Sequence, residues 1–133
     1  MDLDKLPTGH SLPAMERRIT QQMVLDYLNA VGDNSTVYES EGWVPPIAVS
    51  ALTVRFMLET MGLPSGTLHA SQEIEIYKPI ATDSKVLYEV NIAQNTIRHP
   101  WRFLVLDVVA RQKSGPTLMQ SRCTLLVPML SKE

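Results

Sequence analysis

Asp33 stands just past the end of one helical pattern and shortly before the start of another, which makes it the first residue in this chain that could do chemistry. It lies in Gly32-Asp33-Asn34-Ser35-Thr36-Val37-Tyr38, a stretch without hydrophobic periodicity, and Pro45-Pro46 then opens a long apolar run. The first N–H groups of a helix find no partner inside it. A carboxylate beside such amides suits proton transfer next to a carbonyl, one group moving the proton while the others steady the oxyanion. Gly-Asp-Asn after a helix is also ordinary turn chemistry, because Asp and Asn bond back to their own backbone and glycine supplies positive φ. The loop residues alone leave both readings open.

Other polar residues offer less. His69 alternates onto a strand face with Ser71 and Glu73, where a structural histidine is the plainer reading. Glu59 falls four residues after Arg55 on the apolar helix, a spacing that pairs the two. Arg98, His99, Trp101 and Arg102 form a basic, aromatic break between strands, suited to a phosphate or to a plain exposed turn. Cys123, the one cysteine, sits in Cys-Thr-Leu-Leu-Val and reads as a buried structural thiol rather than a nucleophile. His10, His69 and His99 are far apart without ligand spacing, so no metal site and no cofactor are expected.

The elements that must hold Asp33 in place are legible on either side of it. Thr20 offers an N-cap hydroxyl for a helix over 21–31, with Val24, Tyr27, Leu28 and Val31 as its apolar face and Gly32 suited to the left-handed position after it. Residues 33–43 read as a loop. The segment 44–61 is apolar nearly all round: Ile47, Ala51, Val54, Leu58 and Met61 make one stripe, and Val49, Leu52 and Phe56 a second. A helix of that kind must be enclosed by protein. Arg55 and Glu59 interrupt it, so it is no membrane span. Strands are expected over 67–77, 85–94, 102–111 and 117–127, after a short pairing segment at 16–19 and an extended arm over 1–15. Leu104, Leu106 and Val108 suggest a second apolar sheet face covered by a partner. The sum is an α+β domain in which a curved antiparallel sheet wraps one long central helix.

With 133 residues the chain makes a single domain over 1–133. A net charge of −2 and a pI near 5.9 argue against nucleic acid as a partner. The lone cysteine, and an amino terminus without a basic-then-apolar leader pattern, fit a cytoplasmic protein.

Several stretches in order resemble the MaoC-like hydratase/dehydratase family, hotdog-fold proteins acting on acyl-CoA or acyl-carrier thioesters, and in particular its FAS1-like dehydratase branch. They are Ile19-Thr20 opening a helix that ends Ala30-Val31-Gly32-Asp33; Val44-Pro45-Pro46-Ile47; 66–73 with Tyr77-Lys78-Pro79-Ile80; 102–108; and 121–128. The resemblance implies a hotdog fold and a catalytic pair in the loop: an Asp and, after an Asn-Pro, a His. Asp33 matches the Asp, Ser35-Thr36 replace the Asn-Pro, and Tyr38 stands in place of the His. Where the family has a glycine whose N–H faces the thioester oxygen, this chain has Ile47, so the backbone N–H groups of Ile47 and Ala48 are the implied oxyanion contacts.

The implied activity is hydration of an enoyl thioester or dehydration of a 3-hydroxyacyl thioester, with an incomplete pair. A tyrosine of pKa near ~10 is a poor base at neutral pH, though it donates a hydrogen bond. The alternatives are a non-catalytic acyl-binding subunit of a heteromeric dehydratase and a hotdog thioesterase. The partners implied are an acyl-CoA or acyl-carrier thioester and a second hotdog chain, as homodimer or heterodimer, with no nucleic acid and no membrane.

Overall fold

The computed structural model describes residues 2–33 and 37–129. In chain order they form β1 (Met15–Arg18), α1 (Gln21–Ala30), α2 (Val37–Glu41), α3 (Pro46–Met61), β2 (Leu68–Ile76), β3 (Lys85–Arg98), β4 (Trp101–Gln112) and β5 (Thr117–Pro128), with a single 3₁₀ turn at Leu3–Lys5. The strands make one five-stranded sheet in the order β1-β3-β4-β5-β2, antiparallel at each pairing.

Local signals account for the element ends. The Thr20 side chain accepts from the Met23 N–H at 3.2 Å, and Gly32, at φ +72°, lets the chain leave α1. Pro46 opens α3, where its missing N–H forfeits no helical bond, and Gly62 closes it in the left-handed conformation. The amino-terminal arm runs back along β3, with Ile92 donating to His10 and Leu12 to Val90. Asn95 caps the arm's Leu3 and Leu6 carbonyls, and the nearly buried Arg102 bonds Asp4 and Asn95. The basic cluster expected at the β3–β4 turn is therefore split. Arg102 points inward, while Arg98 lies over the Phe103 ring, 5.4 Å from its centroid.

The core is the seam between α3 and the concave face of the sheet. Val49, Leu52, Phe56 and Met57 of α3 are buried against a sheet face that includes Leu104, Leu106 and Val108. Those three β4 residues thus face the helix, not a partner, and the opposite face carries half-exposed Phe103, Val105, Asp107 and Val109. Tyr88 is fully buried in the seam, its ring edge-on to Phe56 at 5.7 Å. Burial raises its pKa. The nearby Thr53 hydroxyl, which donates to the Val49 carbonyl, and the Arg17 guanidinium pull the other way without closing a full hydrogen bond to the phenol.

Two expectations need correcting. The sheet covers α3 on one side only: Ile47 is 69% exposed, and Ala51 and Arg55 are exposed along the same stripe. Hydrophobicity alone cannot say whether a helix is enclosed by its own chain or left open on one side. The second concerns β2. Its pairing with β5 slips between His69 and Ser71, and this bulge breaks the alternation. His69 pairs with Leu125, which faces the core, whereas Ser71 pairs with the outward Thr124. His69 therefore lies on the helix side of the sheet, apart from Ser71 and Glu73.

Candidate functional site

The start of α3 is fixed by a short ribbon. Residues 42–44, leaving α2, run antiparallel to 80–82, just after β2: Val44 donates to the Ile80 carbonyl at 2.8 Å, Thr82 donates to Gly42 at 2.8 Å, and Trp43 bridges Ala81. This ribbon brings α2, the first turn of α3 and the end of β2 together. Between them lies an open groove of about 460 Å³. Its walls are mainly apolar, from Val44, Pro46, Val49, Ile76, Pro79 and Ile80. Tyr38 and Glu41 border it from α2, and Trp43, Tyr77 and Lys78 from the ribbon side.

Trp43 and Tyr77 are each more than two-fifths exposed. The Tyr77 hydroxyl lies within hydrogen-bonding distance of Glu75 and Gln120, at 3.2 and 3.1 Å, and desolvation together with Glu75 raises its pKa. Its ring, not its hydroxyl, is free for a ligand.

α3 has no side-chain cap, and its first internal bond runs from the Val49 N–H to the Pro45 carbonyl at 3.1 Å. The N–H groups of Ile47 and Ala48 therefore have no partner among the described residues, in the turn flanked by the groove residues Pro46 and Val49. Such amides, at the positive end of a sixteen-residue helix, suit an anionic or polarised oxygen.

The residues singled out in the sequence fall unevenly around this groove. Tyr38 lines it, in an element, α2, that polar composition disguised as loop. Asp33 closes α1, its N–H donating to the Leu28 carbonyl at 2.9 Å, and is not among the groove-lining residues. Ser35 and Thr36 lie outside the described residues. Glu59 pairs with Arg55 at 2.9 Å, both more than half exposed, and is not among the groove-lining residues. Cys123 is buried, and burial pushes its pKa up to about 11, the reverse of an activated nucleophile. Glu41, Trp43, Tyr77 and Lys78 were not anticipated. Only Trp43, a large aromatic in an otherwise polar stretch, offered a signal.

A larger concavity, of about 630 Å³, lies on the outer face of the sheet, lined by Glu73, Glu75, Asp107 and Arg122 among others. Arg122 forms a two-pronged pair with Asp107, at 2.7 and 2.9 Å, which holds that carboxyl below its usual range. Its main charges are already satisfied, and the smaller apolar groove is the better candidate. Among the described residues no group of His, Cys, Asp or Glu could hold a metal ion, and no helix is long and apolar enough to cross a membrane.

No family model matches this chain, and no curated protein sequence matches it. Solved structures do. The unliganded (R)-hydratase PhaJ1 from Pseudomonas aeruginosa superposes with a TM-score of 0.75 at 12% identity, over 98% of this chain and 92% of that one. The MaoC-like dehydratase from Rhodospirillum rubrum gives 0.74 at 15% identity, over 99% of each chain. A chain of the C-terminally truncated HadBC (3R-hydroxyacyl-ACP dehydratase) complex from Mycobacterium tuberculosis gives 0.67 at 16% identity, over 90% and 96%. At such identities the likeness is one of fold: this chain has the hotdog fold, as MaoC-like dehydratases and (R)-hydratases do.

Proposed function

We propose that this chain is a MaoC-like acyl-thioester protein of the hydratase/dehydratase type. The observation that carries the reading is the apolar groove opening at the uncapped start of α3, beside the unclaimed N–H groups of Ile47 and Ala48. An acyl chain would occupy the apolar walls, and the thioester oxygen would accept from one or both amides. Tyr38 would donate a hydrogen bond to the water or hydroxyl of the reaction, and Asp33 is the acid that the family resemblance supplies. Thermal shift with saturated acyl-CoAs of increasing length tests the binding. Each methylene fully buried in the groove is worth ~0.8 kcal/mol, so stabilisation should climb with chain length until the groove is full. A flat response across the series would remove the thioester reading.

A second reading has its own support. Tyr38 replaces the histidine of the family pattern, and one structural neighbour is a two-subunit dehydratase complex. The chain would then complete an acyl site for a related, catalytic hotdog subunit. Either way, association through the β2 edge and the open stripe of α3 is expected, since Leu68 and Ile74 on that strand and Ile47 on that stripe are exposed. Light scattering of the purified chain at micromolar concentration checks it. A dimer supports self-pairing, and a monomer that dimerises only with a related chain supports the subunit reading.

A further inference from the structure

The groove carries a carboxylate that neither the loop pattern nor the family resemblance points to. Glu41 ends α2 three residues after Tyr38, a spacing that places both on one side of a helix, and both line the groove. Many acids of this chain are engaged: Asp4 with Arg102, Glu59 with Arg55, Glu89 with Arg111, Asp107 with Arg122, Asp26 with Gln22. Glu41 makes no hydrogen bond and no ion pair among the described residues, although Lys78 borders the same groove. An unengaged carboxylate therefore borders an apolar groove that also has a phenol and, at its α3 end, two unengaged amides.

We propose that Glu41 is the catalytic carboxylate of this site, a role that rests on the thioester reading. In hydration, a water oxygen bonds to C3 of a trans-2-enoyl thioester while its proton passes to the Glu41 carboxylate. The C2–C3 π pair moves toward the carbonyl, giving an enolate whose oxygen accepts from the amides of Ile47 and Ala48. The enolate collapses as C2 takes the proton back from Glu41. One water is added, and the carboxylate is restored. Dehydration is the reverse sequence. Tyr38 holds the water or the new hydroxyl by donating its phenolic hydrogen.

The test compares the wild-type chain with Glu41→Gln, Glu41→Asp and the distant control Glu16→Gln on β1. The probes are crotonyl-CoA for turnover and butyryl-CoA for calorimetric binding. Glu41→Gln should lower kcat by about 10²–10⁴-fold, the usual contribution of a positioned acid–base group, while its butyryl-CoA affinity stays at the wild-type level. Glu41→Asp should recover part of the rate and Glu16→Gln all of it. Normal turnover in Glu41→Gln would overturn the assignment. So would a wild-type chain that binds butyryl-CoA yet never hydrates crotonyl-CoA, or an activity that Asp33→Asn removes and Glu41→Gln does not. Absence of butyryl-CoA binding by the wild type would instead bring down the thioester reading, and the role of Glu41 with it.

Discussion

Leu106→Ala is expected to destabilise the fold by about 3–5 kcal/mol, the range for truncating a leucine where the surroundings cannot collapse. Leu106 is fully buried on β4, the central strand, paired with Ile92 on one side and Cys123 on the other. Both neighbours are themselves buried, and the sheet ladders on either side fix their backbones, so the space left by the leucine stays open. Against a total stability of ~5–15 kcal/mol for a domain of this kind, that is a large fraction. Urea denaturation of the two proteins measures it through the midpoint. A shift no larger than that of a half-exposed truncation such as Val109→Ala would mean that the helix–sheet seam is not the principal core.

Alkali should weaken the fold before it touches any surface charge network, and Cys123 should account for most of the early loss. Burial raises the thiol pKa from 9.0 to about 11. The folded value lies above the unfolded one, so the contribution to stability is complete below pH 9 and disappears as pH rises through about 11. Two pKa units correspond to about 3 kcal/mol. Tyr88, also buried and also raised, extends the loss at higher pH. Denaturation midpoints followed from about pH 8 to pH 11 should fall steeply in the wild type and more gently in Cys123→Ala, whatever the absolute cost of that substitution. Equal slopes in the two proteins would exclude the thiol as the cause.

Much of the architecture was legible because it rests on short-range signals. Thr20, Gly32, Pro46 and Gly62 mark helix ends through hydrogen bonds and φ preferences that act over a few residues, and alternation along 85–94 and 117–127 located two strands within a few residues. What escaped depends on contacts distant in sequence. The bulge that turns His69 toward the helix is set by pairing with Leu125, and Arg102 is drawn inward by Asp4 and Asn95. β3 runs on to Arg98 because its partner β4 continues opposite it, although its own pattern fades after Gln94. The groove shows the same division. Tyr38 and the amides of Ile47 and Ala48 were candidates only through the family resemblance, which places them by their order along the chain. Glu41, Tyr77 and Lys78 meet only because the ribbon of 42–44 with 80–82 joins segments separated by the whole of α3 and β2.

The kinked edge of β2 also bears on how this protein behaves when crowded. An edge strand with exposed Leu68 and Ile74 would ordinarily invite any extended peptide to add itself to the open edge, and then another, as in fibril growth. Here an approaching chain meets a slip in the backbone at Ala70, and beyond it the exposed Glu73 and Glu75 spaced two residues apart. A chain of arbitrary sequence finds neither matching register nor matching charge, whereas a partner shaped for this edge meets no such obstacle. Any resistance to indiscriminate edge pairing thus rests on these few residues, and neutralising the two glutamates would weaken it.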